Sequence, residues 1–220
     1  DVDPQGNAPV LIDLTERKRR TVSAGLSYST NLGLGGQIAW VNRNVLGRAE
    51  KLSADLNYTQ VLQSVSMGVE KPELLAATDL ITKLTQTHED DDAFRGKTLT
   101  ASGALKHRFN KSLVASIGTE LSSSRAIDAF GLHRSYLIGF PVGGTWSDIK
   151  DILNPTRGLS SSLVVTPTVG TSDGPIFFTL MDFTTNYHWP LDAADKFVGA
   201  LWSHVGASLG PGTAAIPPDK

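Results

Sequence analysis

The chain has 220 residues, no cysteine, 19% charged residues and a formal net charge of −2. Its length admits one large domain or two small ones, the missing cysteine excludes disulfide stapling, and the weakly negative balance argues against nucleic acid as a partner. No run of about 18 apolar residues occurs, which excludes a transmembrane helix, whereas a mean hydropathy of −0.09 is compatible with transmembrane strands, because only every second strand residue faces lipid.

The first twenty residues stand apart. Asp3-Pro4-Gln5-Gly6-Asn7 is turn-forming, Val10, Ile12 and Leu14 alternate as one short strand, and Glu16-Arg17-Lys18-Arg19-Arg20 concentrates charge. The chain opens at Asp1 in polar sequence, with no leader, and reads as beginning in mid-protein. Residues 1–20 are expected to be the end of a preceding soluble domain with a basic junction; the plainer alternative is a solvated linker.

From Thr21 onward the signal is two-residue alternation. Val22, Ala24, Leu26 and Tyr28 alternate with Ser23, Gly25, Ser27 and Ser29; Leu52, Ala54, Leu56 and Tyr58 with Ser53, Asp55, Asn57 and Thr59; Val65, Met67 and Val69 with Ser64, Ser66, Gly68 and Glu70. The same rhythm carries Leu99 to Leu105, Leu113 to Leu121, and Phe177, Met181, Phe183 and Tyr187. A strand sends successive side chains to opposite faces, so each segment has one apolar and one polar face. About eleven strands are expected, at 21–30, 34–45, 50–61, 63–72, 77–88, 96–108, 111–124, 134–147, 157–169, 175–189 and 195–209. Each is about ten residues or longer, enough for a tilted strand to cross a bilayer. Asn31 to Gly33, Asn110-Lys111, Asn154-Pro155, Ser172 to Pro175 and Asp192 to Asp195 supply turns. Asp148 to Leu153 has room for a short turn of helix.

The composition of the polar faces favours a membrane barrel over a soluble sandwich. They are mostly Ser, Thr, Gly and Asn, with few Lys or Glu, which suits a crowded wet lumen better than a surface in bulk water. Trp40, Tyr58, Tyr187 and Trp189 fall near strand ends, where an interfacial girdle belongs. By parity, Leu26, Tyr28, Leu56, Val65, Met67, Leu105, Ile117 and Phe183 are expected to face lipid, and Ser27, Asp55, Asn57, Ser66, Lys106, Glu120 and Asp182 the lumen.

Chemistry-bearing motifs are sparse. The five histidines have no metal-ligand spacing. There is no Gly-x-Ser-x-Gly elbow, and the run Gly33, Gly35, Gly36 lacks the lysine and helix of a phosphate loop. Glu89-Asp90-Asp91-Asp92 reads as a solvated loop, with a divalent-cation site as the sharper alternative. Arg157 and Asp182 are candidate lumen residues that could pair. No cofactor, metal or catalytic residue is expected.

Several words carry a family likeness: Ala24-Gly25-Leu26-Ser27-Tyr28-Ser29-Thr30, Trp40-Val41-Asn42-Arg43-Asn44-Val45-Leu46-Gly47-Arg48-Ala49-Glu50, Asp151-Ile152-Leu153-Asn154-Pro155-Thr156-Arg157-Gly158, and Ile216-Pro217-Pro218-Asp219-Lys220. In this order and spacing the chain resembles the bacterial surface-antigen barrel of the outer-membrane assembly-factor superfamily, and most closely its TamA-like branch. The resemblance implies an all-β, antiparallel, up-and-down transmembrane barrel of sixteen strands, of which residues 21–220 carry about eleven. It implies residence in the bacterial outer membrane, contact with outer-membrane lipid, and periplasmic polypeptide-transport-associated domains upstream of residue 20. Its clients would be nascent outer-membrane or autotransporter polypeptides, its partner a periplasmic or inner-membrane-anchored assembly component. The family's Val-Arg-Gly-Tyr-type loop would begin after Lys220, so that motif maps onto no residue here. The resemblance also implies that strand one, with Val22, Ser23, Ala24, Gly25, Leu26, Ser27 and Tyr28, is the edge of a lateral gate. A central barrel-assembly subunit, a two-partner secretion transporter, and an outer-membrane enzyme or porin stay open as alternatives.

Overall fold

The computed structural model describes residues 18–30, 32–91, 94–128, 131–172, 174–192 and 196–210. Most of the expected pre-barrel segment, residues 1–17, and the closing word at 216–220 lie outside the described residues.

Among those residues there is no helix, only twelve strands: β1 (Arg20–Ser29), β2 (Gly33–Arg43), β3 (Lys51–Tyr58), β4 (Leu62–Leu75), β5 (Thr78–Asp91), β6 (Phe94–Arg108), β7 (Leu113–Asp128), β8 (Gly131–Gly139), β9 (Val142–Ser147), β10 (Gly158–Ser172), β11 (Pro175–Pro190) and β12 (Val198–Leu209). They form one antiparallel meander in chain order, with β8 and β9 sharing the place between β7 and β10. These two are a single strand interrupted at Phe140-Pro141. The register is the same on both sides of the gap, since Glu120 faces Gly139 and Ile117 faces Val142. Proline has no N–H to donate, so the ladder lapses where Pro141 sits. Its carbonyl still accepts from the Gly118 N–H at 2.9 Å, and Phe140 N–H donates to the Pro167 carbonyl at 2.9 Å. The expected count of eleven is therefore the count of barrel positions.

The registers connect into two continuous faces. Leu26 lies opposite Gly36, Gly36 opposite Tyr58, Ile38 opposite Leu56, Leu56 opposite Val65, and Met67 opposite Leu84. Leu105 lies opposite Ile117, Ile117 opposite Val142, Leu163 opposite Phe183, and Phe183 opposite Val205. One face thus carries most of the apolar side chains across all twelve strands. The other carries Ser27, Asp55, Asn57, Ser66, Lys106, Glu120 and Asp182. Buried Ser66, Ser122, Ser124, Ser135 and Thr168 all belong to the polar face, while Leu26, Met67 and Ile117 on the apolar face stand exposed. A curled sheet crowds its concave side, so the polar face is the inside of the curve. Some of its hydroxyls satisfy one another, Ser124 with Ser135 at 2.6 Å and Thr145 with Ser162 at 3.1 Å, whereas the buried Ser122 hydroxyl has no hydrogen-bond partner among the described residues.

Side chains, not helices, build the turns. Asn110 Oδ1 accepts the N–H groups of Ser112 and Leu113, both at 2.8 Å. Asp151 Oδ1 accepts those of Leu153 and Asn154 at 3.0 and 3.1 Å. These Asx turns give the chain an alternative to helix, so the helical turn expected at 148–153 is replaced by bends. The acidic run is also corrected. β5 continues through Glu89, Asp90 and Asp91, because Asp90 is answered across the ladder by Arg95 at 2.8 Å. An opposite-charge cross-strand pair supports strand where an isolated acidic run does not.

Candidate functional site

Among the described residues β1 is an edge strand that pairs only with β2. Antiparallel pairs alternate between hydrogen-bonded and non-hydrogen-bonded. Arg43 N–H donates to the Arg19 carbonyl at 2.8 Å, which makes 19/43 a bonded pair and, by alternation, 21/41, 23/39, 25/37, 27/35 and 29/33 as well. The intervening residues, Arg20, Val22, Ala24, Leu26 and Tyr28, therefore aim their N–H and C=O groups away from β2, along the edge. The same residues carry the outward side chains, and Leu26 is 89% exposed. Ser23, Gly25 and Ser27 point inward.

Small residues line this hairpin on both sides. A Cβ on Gly25 would lie 3.1 Å from the Gln37 amide nitrogen, and one on Gly35 would lie 2.7 Å from Ser27 Oγ. β2 thus lies against β1 with little side-chain bulk between them. Outside, Leu26, Ile38, Leu56 and Tyr58 border a shallow groove of about 400 Å³ with Gly36 as its floor.

The lumen residues separate. Asp182 Oδ1 meets His204 Nε2 at 3.0 Å, and the Trp202 ring lies 6.2 Å from that imidazole. Arg157 precedes Gly158, which faces His188, six positions along β11 from Asp182. At about 3.3 Å per residue that is roughly 20 Å, so Asp182 takes its partner from β12 and the expected pair with Arg157 is not made.

Three features escaped the reading by alternation. Leu137, Ile176 and Phe178 form a buried apolar cluster with Leu180 packed against it, on the inner face, with Phe178 at 0% exposure. The signal was present in Pro175 to Met181, which is apolar at both parities except Thr179 and therefore has no polar face to present. Second, Glu50 is 5% exposed inside the β2–β3 turn and accepts the Arg48 N–H at 3.0 Å. Burial pushes its carboxyl up, but its own N–H and those of Arg48 and Leu46 outweigh burial, with Lys71 assisting, and the net pKa falls below the ordinary 4.5. Gly47 lies in that turn at φ +88°, a conformation open to glycine. Third, Asp79, 7% exposed, holds Arg108 at 2.8 Å and the Glu73 N–H at 3.0 Å, tying the β4–β5 turn to the end of β6.

Among the described residues no group of three or more His, Cys, Asp or Glu is placed to hold a metal. Thr78 Oγ1 lies 2.8 Å from His107 Nδ1. That pair sits on the outer face beside Phe109, whose ring meets the imidazole edge-on at 4.6 Å, while the nearby Asp79 is on the inner face.

Residues 44–220 match the family described as the Omp85 superfamily domain. A solved structure, titled "The crystal structure of BamA from Haemophilus ducreyi lacking POTRA domains 1-3", superimposes with a TM-score of 0.77 at 16% identity, over 88% of this chain and 42% of that one. The chain thus spans less than half of the solved chain it matches. Comparison with curated proteins gave no match.

Proposed function

The chain belongs to the Omp85 superfamily, and we propose that it forms the first eleven strands of an outer-membrane barrel that assembles or translocates client polypeptides through an opening beside β1. The carrying observation is the edge of β1, where, among the described residues, the backbone groups of Arg20, Val22, Ala24, Leu26 and Tyr28 face away from β2 with no further strand beside them. In hydrocarbon each such group requires a partner. A closing strand supplies it when the barrel is shut, and a client strand supplies it by β-augmentation when the seam opens. Small inward residues suit a strand that exchanges partners, because few interlocking side chains fix its register. No energy source is needed beyond the client's own hydrogen bonds and burial.

In this reading the chain is a TamA-like assembly factor in the bacterial outer membrane, with autotransporter or other outer-membrane polypeptides as clients. Residues 1–20 end a periplasmic domain that meets an inner-membrane-anchored or periplasmic partner. The hairpins that join β1 to β2, β3 to β4, β5 to β6, β7 to β8 and β10 to β11 then face outward from the cell. No catalytic role is proposed.

The test is a seam lock in the full-length protein. Ser27→Cys paired with a cysteine opposite it on the closing strand should, once oxidised, stop client assembly while the barrel stays folded. A matched lock between β2 and β3 should leave assembly unchanged, since those strands remain paired throughout. Normal client assembly by a seam-locked, fully oxidised protein would refute lateral gating and favour passage through the lumen, the secretion-transporter reading.

A further inference from the structure

On the outer face, a row of cations crosses three neighbouring strands near the β5–β6 and β7–β8 hairpins. Lys97 on β6 lies directly opposite Arg125 on β7, and Arg125 directly opposite Arg134 on β8. Neighbouring strands lie about 4.8 Å apart, so three positive charges share roughly 10 Å of sheet. All three are exposed, and among the described residues none has an ion pair or hydrogen-bond partner. The nearest acid on this face, Asp90, is engaged by Arg95 one row further out. His88, at the row's other end, directs its ring to the Gly96 carbonyl at 3.0 Å. Like charges placed directly opposite destabilise a sheet, and they do so most beside a low-dielectric phase.

The surroundings indicate what resolves this. The row lies near the hairpin end of the sheet, and a groove of about 410 Å³ between Gln86, Leu99, Ser123 and Tyr136 contains all three cations. The next row toward the middle of the strands is Gln86, Leu99, Ser123 and Tyr136, and beyond it come Leu84, Ala101, Leu121 and Ile138, with Leu84, Leu99, Leu121, Tyr136 and Ile138 exposed. A ligand fitting this face has anionic oxygens above and alkyl chains below. Guanidinium groups match phosphate in particular, through paired N–H donors.

From this arrangement we infer that Lys97, Arg125 and Arg134 form a binding site for the phosphate of a lipid headgroup, whose acyl chains run down over Leu99, Leu121 and Ile138. The inference rests on the membrane-barrel reading and its orientation. With this hairpin end directed outward, the ligand is a phosphorylated glycolipid of the outer leaflet, of the lipid A type, not a phospholipid of the inner one. The bound phosphate neutralises the row and turns a repulsive cross-strand contact into a chelating one.

The experiment is native mass spectrometry of the full-length barrel released from uncharged detergent, titrated separately with lipid A, phosphatidylglycerol and phosphatidylcholine. The wild type should retain one lipid A in preference to the other two. The triple variant Lys97→Gln, Arg125→Gln, Arg134→Gln should lose at least about tenfold in lipid A affinity, while lumen-facing Lys83→Gln with Lys106→Gln should lose none. Without lipid the triple variant should melt no lower than the wild type, since it has shed its repulsion. Equal retention of lipid A and phosphatidylglycerol would overturn the glycolipid assignment. Undiminished lipid A binding by the triple variant would overturn the site, as would capture of these positions by a protein and not a lipid on photo-crosslinking in native membranes. Heat-modifiable migration separates these outcomes from failure of the barrel reading, because a chain that forms no barrel shows no folded band.

Discussion

Phe183 offers the sharpest test of which face meets lipid. It lies between Leu163 and Val205 on the apolar face. Phe177 and Trp189 stand on that face six residues to either side, near the two ends of β11. Six residues at about 3.3 Å, along a strand tilted by roughly 40°, rise about 15 Å toward each interface. Phe183 is therefore near the midplane of an apolar band about 25 Å tall. An arginine there has no water within reach. Relative to alanine at the same site, Phe183→Arg should destabilise the full-length barrel by about 2–4 kcal/mol. Tyr187→Arg, close to the interface, should cost about 0–1 kcal/mol on the same comparison. Thr184→Arg, one residue away but facing the lumen between Ser162 and His204, should cost less than Phe183→Arg. Reversible urea unfolding in phosphatidylcholine vesicles, followed by tryptophan fluorescence, measures all three. Equal costs at Phe183 and Tyr187, or a larger cost at Thr184, would refute the assignment of faces.

Other perturbations probe the turns and the interior. A Cβ on Gly170 would collide with the Tyr136 carbonyl and the Leu137 backbone, so Gly170→Val should weaken the β8–β10 ladder, read as faster amide exchange there than in β5–β6. Glu50 has a folded pKa below its ordinary 4.5, so the unfolded chain binds the proton more readily, and the carboxylate's contribution is complete above that value and lost as pH falls through the lower folded one. The stability gap between wild type and Glu50→Gln should accordingly be constant above pH 4.5 and shrink below it, in pH-dependent unfolding. Arg108→Ala leaves buried Asp79 with only the Glu73 N–H among its described partners. It should cost about 1–3 kcal/mol, with Arg108→Lys recovering part of it.

Alternation determined the all-β character, the eleven barrel positions and the side of the sheet on which residues such as Leu56, Met67 and Asp182 project, while the family resemblance supplied the barrel architecture. Alternation did so because side-chain direction in a strand is local: parity fixes a face before any partner is known. Local signals could not determine what depends on the neighbouring strand. His204 rather than Arg157 answers Asp182 because the β11–β12 register puts Gly206 opposite Asp182 and His204 beside it. Pro141 interrupts a strand that both neighbours hold in unbroken register, so the ladder overrides a residue that breaks strands in isolation. Lys97, Arg125 and Arg134 are scattered over thirty-eight residues of sequence, counted inclusively, and become one charged row only when β6, β7 and β8 align. Ile176 and Phe178 had the parity of lumen residues and the chemistry of core residues. That conflict was resolved by curvature, which crowds Phe178 out of contact with solvent on the concave side, where a flat sheet would have left it exposed.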